Sequence, residues 1–280
     1  MILLAVIICI AIPTSFSIHY HNELQCAKED IQRLTEEIEQ QNNESTNGEA
    51  PYYQSLYPDF YAPQNYGATE SAEKTMYLTF DDGPSDRTDE ILDLLAKEQV
   101  KATFFVIGNT DEAAKDRMRR IVAEGHTLGM HSYTHNYEKI YASVEAYLDD
   151  MYQIFSLIKD TTGQTPSVFR FPGGSINGYN AGIYKELVAE MIRRGFVPYD
   201  WNVSSQDASS NDMTSAQIIN AVVNGAENTS RGFVLFHDSQ YKNSTVKALG
   251  EIIEDLRKMG FQFQAVSPTT KPTLFAYRFQ

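Results

Sequence analysis

Residues 77–84 read YLTFDDGP, a β-prone run that ends in two adjacent carboxylates, Asp81 and Asp82, and a Gly-Pro turn. Apolar and aromatic residues bounded by Gly and Pro favour a strand, so Tyr77–Phe80 is predicted as a strand with the acid pair at its carboxyl end. Neighbouring carboxylates repel each other, and a bound cation offsets that repulsion. A turn with solvated acids is the alternative interpretation, and this stretch alone does not decide between them.

The same pattern continues along the chain, where short β-rich runs alternate with amphipathic helices. The clearest helix has apolar residues at helical spacing on one face: Val144, Leu148, Met151, Phe155 and Ile158. The predicted strands are Tyr77–Phe80, Ala102–Ile107, Thr127–Gly129, Ser167–Phe171, Phe196–Trp201, Phe233–Phe236 and Phe261–Val266. About seven strand–helix units predict an α/β fold, a distorted or incomplete parallel (β/α) barrel. In such barrels reactive side chains gather at the carboxyl ends of the strands.

A second polar cluster reads HSYTH, with His131 and His135 four residues apart. Four residues make about one helical turn, so the spacing predicts that both imidazoles share a helix face and meet one metal ion. With one aspartate of the acid pair they form a candidate site of two histidines and one aspartate. These ligands suit Zn²⁺ with an open water position, and Co²⁺, Ni²⁺ and Mn²⁺ are alternatives. His126 is assigned a structural role.

Three more clusters of reactive residues follow the predicted strands. They are Arg170-Phe171-Pro172-Gly173-Gly174, the stretch from Asp200-Trp201 to Asp207, and Leu235-Phe236-His237-Asp238. Taken singly, an Arg in a turn or a His at the end of an apolar strand is more often structural. Their position at strand ends, together with the first two clusters, favours a shared site.

In this order the five clusters resemble the polysaccharide deacetylase family, the carbohydrate esterases related to nodulation-factor chitooligosaccharide deacetylases. The resemblance covers about residues 75–266, and the pair TFDDGP and HSYTH is its most specific part. It implies roles for seven side chains: Asp82, His131 and His135 as metal ligands, Asp81 as general base, Arg170 as the residue that orients this base, His237 as general acid and Asp207 as its partner.

The resemblance also implies contacts with the substrate. The backbone N–H of Gly173 is expected to bind the oxyanion, and Leu235 to line the groove near the acetyl methyl group. Three positions depart from the family pattern: Gly173 is usually aromatic, Ala208 is usually Trp, and Met130 is often Asn. None removes a catalytic group, but a more open groove is expected, in which Trp201 is a candidate replacement wall.

The function implied is metal-dependent removal of N-acetyl groups from an extracellular polysaccharide, with N-acetylglucosamine or N-acetylmuramic acid units of peptidoglycan as the leading expectation. Chitin-like oligomers, polyglucosamine and acetylated xylan are alternative substrates. A non-catalytic wall-binding module is an alternative of another class. The complete set of reactive residues argues against it, because binding alone does not require them all.

The N-terminal region differs in character from the rest of the chain. Residues 2–18 carry no charge, which is typical of a signal peptide or a membrane anchor. Residues 19–73 are predicted as a polar helical stalk, whose heptad spacing of apolar residues allows weak dimerisation, followed by a Tyr/Pro linker. The catalytic domain is expected at residues 74–280, folding alone on the extracellular face of the membrane, either membrane-anchored or secreted.

Charge and cysteine content exclude other classes of protein. The net charge is −14, of which residues 1–73 carry −9 and residues 74–280 carry −5. Nucleic acid is therefore not an expected partner, since phosphate binding needs a basic surface. Both cysteines, Cys9 and Cys26, precede residue 74, so no disulfide supports the catalytic region.

Overall fold

The computed structural model of the 280-residue chain describes residues 50–63, 74–210 and 212–275. The chain divides into a segment that ends at Gln54 and a compact unit that begins at Ser55. In the first segment a short 3-10 helix begins, Tyr52–Ser55. The predicted signal or anchor and the predicted stalk lie outside the described residues. No helix in the described ranges is long and apolar enough to span a bilayer.

One parallel sheet forms the centre of the compact unit. Within the described residues its strands are β1 Thr75–Asp81, β2 Thr103–Ile107, β3 Thr127–Ser132, β4 Val168–Phe169, β5 Val197–Pro198, β6 Val203–Ser204, β7 Arg231–His237 and β8 Gln262–Phe263. Their order is β5-β4-β3-β2-β1-β7-β6, and β8 also pairs with β1. All pairings are parallel, so the carboxyl ends of the strands meet at one edge. The sheet curls into a distorted, incomplete barrel, which confirms the predicted fold class.

Helices alternate with the strands and cover the sheet. Those described are α1 Asp86–Glu98, α2 Glu112–Ala123, α3 Tyr137–Ile140, α4 Val144–Thr162, α5 Tyr184–Arg193, α6 Ser215–Ala226 and α7 Asn243–Lys258. The apolar face predicted for α4 is buried at all five positions. Every residue of β1 is buried as well, as expected for an inner strand of a parallel sheet whose two faces are both covered.

The barrel is open between β5 and β6, which lie at the two ends of the strand order. The predicted strand Phe196–Trp201 is shorter than expected because its second half turns to meet the C-terminal segment. The backbone N–H of Asp200 donates to the carbonyl of Thr273 at 2.8 Å, and that of Phe275 donates to Asp200 Oδ2 at 2.6 Å. The seven-strand prediction missed β6, a two-residue strand that pairs with β7.

Part of the predicted linker packs with the barrel. Phe60 is completely buried, with its ring centroid 5.0 Å from that of Phe155 in α4 and 4.7 Å from that of Phe196. Arg194 is also buried, and its guanidinium donates to the carbonyls of Leu56 at 2.9 Å and Tyr57 at 3.1 Å. The domain start expected at Lys74 therefore leaves out a segment that belongs to the compact unit.

We expect a chain of residues 74–280 to be less stable than one of residues 55–280. Removal of Phe60 opens the space between Phe155 and Phe196, and Arg194 loses backbone acceptors while it stays buried. The melting temperature should fall by roughly 5–15 °C. Thermal unfolding followed by circular dichroism measures this. Phe60→Ala in the longer chain should reproduce part of the loss, and equal melting temperatures for the two chains would contradict the expectation.

Candidate active site

The reactive side chains converge where the parallel strands end. Asp81 is the last residue of β1 and His237 the last of β7, and the two are register partners in the sheet. His131 is the next-to-last residue of β3, and Arg170 follows β4 directly. Four strands thus deliver these groups to one edge, as predicted for a parallel barrel.

Asp82, His131 and His135 form a cluster that fits a metal ion. Asp82 Oδ1 lies 3.3 Å from His135 Nε2 and 3.6 Å from His131 Nε2, and one ligand atom from each residue falls within 4.8 Å of the others. Asp82 Oδ1 is buried and has no hydrogen-bond partner among the described residues. A buried carboxylate oxygen without a partner is costly, and a divalent cation held by one oxygen and two imidazole nitrogens would satisfy it.

The two histidines do not share a helix face, so that part of the sequence prediction is wrong. His131 belongs to β3, and His135 lies in the following turn with a positive φ of 52°. Strand β3 carries the imidazole of His131, and the turn after it places the imidazole of His135 near the same Asp82 oxygen. A spacing of four residues was compatible with either geometry, and the contacts that select the turn come from a distant part of the chain.

Asp150 in α4 provides those contacts. Its carboxylate is 4% exposed and accepts from Ser132 Oγ at 2.6 Å, from the backbone N–H of Tyr133 at 2.7 Å and from that of Thr134 at 2.8 Å. Ser132 Oγ in turn accepts from the backbone N–H of His135 at 2.8 Å. Sequence reasoning missed Asp150, although a charged residue beside the apolar face of a helix is a signal that such a partner exists.

The tautomer of His131 is set by the backbone. Its Nδ1 lies 2.9 Å from the carbonyl oxygen of Arg170, which can only accept, so Nδ1 carries the proton and Nε2 keeps its lone pair toward Asp82. Burial lowers the pKa of His131 to about 3, so the ring stays neutral and can act as a ligand. His126, by contrast, is structural as predicted: its Nδ1 accepts from the N–H of Ala102 at 3.1 Å, and burial lowers its pKa to about 4.

Arg170 holds Asp81 in place. The guanidinium is fully buried and donates to Asp81 Oδ1 at 2.9 Å, to Thr79 Oγ1 at 2.7 Å and to the carbonyl of Tyr199 at 2.7 Å. Burial is the largest influence on Asp81 and raises its pKa, while the charge and hydrogen bond of Arg170 oppose it. Asp81 is therefore a stronger base than a solvated aspartate. Arg170 holds its Oδ1, and its Oδ2 lies 3.9 Å from His131 Nε2.

His237 and Asp207 form the predicted pair. His237 Nδ1 lies 2.7 Å from Asp207 Oδ1, and Asp207 Oδ2 accepts from the His237 backbone at 2.9 Å and from Thr245 Oγ1 at 2.8 Å. Burial alone would lower the pKa of His237, but the hydrogen bond and charge of Asp207 outweigh it and raise that pKa. The same contacts lower the pKa of Asp207 against the effect of its burial. Asp207 therefore favours the protonated form of the imidazole that stands across from Asp81.

The residues expected to contact substrate lie around this centre. Gly173 is exposed, in a turn with φ of 77°, and Leu235 lies on β7 two residues before His237 with 8% of its surface exposed. Trp201 is half-buried, with its ring 4.7 Å from that of Phe275 and 5.7 Å from the guanidinium of Arg170. Their positions are compatible with a groove, and their contacts with substrate remain predictions.

We expect His135→Ala to lose the bound metal, because a three-ligand site reduced to one aspartate and one imidazole is weak. Metal per chain, measured by elemental analysis after dialysis against trace Zn²⁺, should fall from about one ion to a small fraction. His237→Ala is the matched control, since it removes a histidine from the same edge but no ligand. Full occupancy in His135→Ala would disprove this ligand assignment.

We expect Asp207→Asn to lower the pKa of His237. The carboxylate favours the charged imidazole, so without it the ring loses its proton at a lower pH. Titration of the His237 ring signals by NMR measures the shift, with the signals of His126 as an internal reference. An unchanged pKa would leave Asp207 as a structural turn residue only.

Comparison with known proteins agrees with this geometry. Residues 68–192 match the family model described as polysaccharide deacetylase. A peptidoglycan-N-acetylglucosamine deacetylase of Bacillus cereus is 36% identical over 208 residues, which is 73% of this chain and 72% of the relative. A bifunctional xylanase/deacetylase of Pseudobutyrivibrio xylanivorans is 36% identical over 206 residues, which is 72% of this chain and 31% of that relative.

A solved structure shows the same fold. The catalytic domain of peptidoglycan N-acetylglucosamine deacetylase from Eubacterium rectale is 37% identical, with a TM-score of 0.71, and the match covers 75% of this chain and 96% of that one. Sequence, fold and the arrangement of reactive groups at the sheet edge thus lead to one conclusion: the chain belongs to the polysaccharide deacetylase family.

Proposed function

We propose that this protein is a metal-dependent hydrolase that removes N-acetyl groups from N-acetylglucosamine units of peptidoglycan. The observation that carries the proposal is the shared edge of the sheet, where Asp82, His131 and His135 offer a metal site and where Asp81 and His237, the proposed base and acid, end neighbouring strands. A wall-binding module needs neither the ligands nor the two proton-transfer groups.

Each residue of the site has a separate role in the proposed hydrolysis of the amide. A divalent ion held by Asp82, His131 and His135 supplies Lewis acidity, which acidifies water and polarises the acetamide carbonyl. Asp81 Oδ2 is free to accept the proton of the attacking water, because Arg170 holds only Oδ1. The amine is a poor leaving group, and His237 Nε2 can donate the proton that it requires, since Asp207 occupies Nδ1.

The developing negative charge on the acetamide oxygen needs a fixed donor. Gly173 is exposed in its turn and lies beside Tyr137, which packs edge-on against the metal ligand His135 with ring centroids 5.4 Å apart. Its backbone N–H is the proposed oxyanion donor. A single well-placed donor of this kind contributes about 3–4 kcal/mol to transition-state stabilisation.

The proposed substrate and location rest on similarity and on the N-terminal sequence. The similar proteins of Bacillus cereus and Eubacterium rectale are named for peptidoglycan N-acetylglucosamine. Residues 2–18 form an uncharged apolar run at the start of the chain, suited to export or anchoring. We therefore propose that the enzyme acts on the outer side of the cell membrane, with Zn²⁺ as the metal.

The test is acetate release by the Zn²⁺-loaded chain of residues 55–280 from peptidoglycan, N-acetylglucosamine oligomers and acetylated xylan, with products identified by mass spectrometry. We expect release from peptidoglycan and from the oligomers. Asp81→Asn should lower kcat by roughly 10²–10⁴-fold, because it removes the base, while metal content stays unchanged.

The matched control is Asp86→Asn in α1, whose exposed carboxylate pairs with Arg117 and not with a residue assigned to the reaction, and its activity should equal that of the unmodified chain. Release from xylan alone would overturn the proposed substrate. No release from any polymer by the metal-loaded chain would overturn the proposed function. Parallel loss of metal and activity in Asp81→Asn would make Asp81 a ligand instead of the base.

A further inference from the structure

Gly173 lacks a side chain, and the space next to it is already filled. A Cβ atom built on this glycine would lie 2.9 Å from Cε1 and 3.2 Å from Oη of Tyr137. The first distance is shorter than real Cβ atoms allow. The ring of Tyr137 therefore stands in the volume that a side chain at position 173 would need, directly beside the proposed oxyanion donor.

Tyr137 is fixed by the rings around it. Its centroid lies 5.4 Å from that of His135, 6.0 Å from Tyr141 and 5.2 Å from Tyr179. Tyr141 is itself anchored, because its hydroxyl donates to the carbonyl of Pro172 at 2.7 Å. Tyr137 is nevertheless only half-buried, so part of its ring remains available to a ligand in the cleft.

Tyr179 extends this surface away from the metal site. It is 57% exposed, unusual for a large aromatic side chain, and sits on the loop that carries Gly173. Asn177 orders that loop: its Oδ1 accepts from the Tyr179 backbone at 2.8 Å and its Nδ2 donates to the carbonyl of Pro172 at 3.1 Å. Tyr137 and Tyr179 form a continuous aromatic wall, which begins beside His135 and ends in solvent.

We propose that this aromatic wall is a sugar-binding surface and sets substrate preference: Tyr137 packs against the pyranose ring that carries the reacting acetamide, and Tyr179 against a neighbouring sugar unit. This inference rests on the proposed function and deepens it. The C–H faces of a pyranose are apolar while its hydroxyls point outward, which suits rigid rings with polar tips. A tyrosine also loses little conformational freedom on binding.

The alternative is that Tyr137 only supports His135. The two roles differ in what a variant does to different substrates. If the wall binds sugar, Tyr137→Leu should raise KM for an N-acetylglucosamine tetramer roughly 3- to 10-fold, with little change in kcat. Hydrolysis of a sugarless acetyl ester, such as 4-methylumbelliferyl acetate, and the metal content should stay within about twofold of the unmodified chain.

Three further variants sharpen the test, all in the Zn²⁺-loaded full-length chain. Tyr137→Phe keeps the ring and should stay close to the unmodified KM. Tyr179→Ala, at a position that is 57% exposed, should raise KM for the tetramer more than for shorter oligomers. Tyr52→Ala removes a tyrosine that is 72% exposed and lies outside the compact unit, and it should leave KM for the tetramer unchanged.

Two results would overturn the proposal. Unchanged KM for the tetramer in both Tyr137→Leu and Tyr179→Ala would show that the wall does not contact sugar. A joint fall of tetramer turnover, ester turnover and metal content in Tyr137→Leu, with no effect of Tyr179→Ala, would show that Tyr137 only supports His135.

Binding of the tetramer to metal-loaded Asp81→Asn, measured by calorimetry, separates this inference from the proposed function. The unmodified chain could deacetylate no polymer while the tetramer still binds Asp81→Asn and Tyr137→Leu weakens this binding. That result would support the aromatic wall as a sugar-binding surface and would overturn the proposed function. If the tetramer does not bind Asp81→Asn at all, the aromatic wall is not a sugar-binding surface, regardless of the deacetylase activity of the unmodified chain.

Discussion

The site depends on one buried ion pair, Arg170 with Asp81. A guanidinium taken fully out of water is stable only when its donors are satisfied, and Arg170 meets this need with acceptors from the carboxyl end of β1 and from the two residues that follow β5. These contacts tie strand ends together across the barrel. Because the Arg170 carbonyl also accepts from His131 Nδ1, the same residue orients both Asp81 and His131. The geometry of the site and the packing of these strand ends thus depend on one set of interactions.

The backbone at the acid pair is unusual, and a third carboxyl group lies next to it. Asp82 has a positive φ of 71°, and its Oδ1 lies within 3.6 Å of the Nε2 atoms of both His131 and His135. Gly83 follows because a Cβ there would lie 2.3 Å from Asp238 Oδ2. Burial raises the pKa of Asp238 to about 8, so this third carboxyl group remains largely neutral at pH 7 and adds little to the repulsion. A divalent cation at Asp82 would offset the charge that remains.

Support for the site comes from segments outside the motifs. The Asp150 carboxylate sets the turn that carries His135, the C-terminal segment covers the edge of β5 through Asp200, and residues 55–62 pack over α4. Each contact joins parts of the chain that are far apart in sequence. Precise placement of reactive groups depends on such supporting hydrogen bonds, because a strand end fixes a side chain's position but not its orientation.

Much of the fold and of the site follows from local sequence patterns and could be predicted from the sequence. Apolar runs that end in an acid, an arginine or a histidine identify strands and place Asp81, Asp82, His131, Arg170 and His237 at one edge, since parallel strands share the direction of their carboxyl ends. The sequence could not decide whether HSYTH is helix or strand and turn, because a four-residue spacing fits both and Asp150 makes the choice. Nor could it show that Tyr137 fills the space beside Gly173 or that Phe60 is core. Those facts belong to tertiary structure alone, because a side chain's burial and partners are set by which distant segments pack against it.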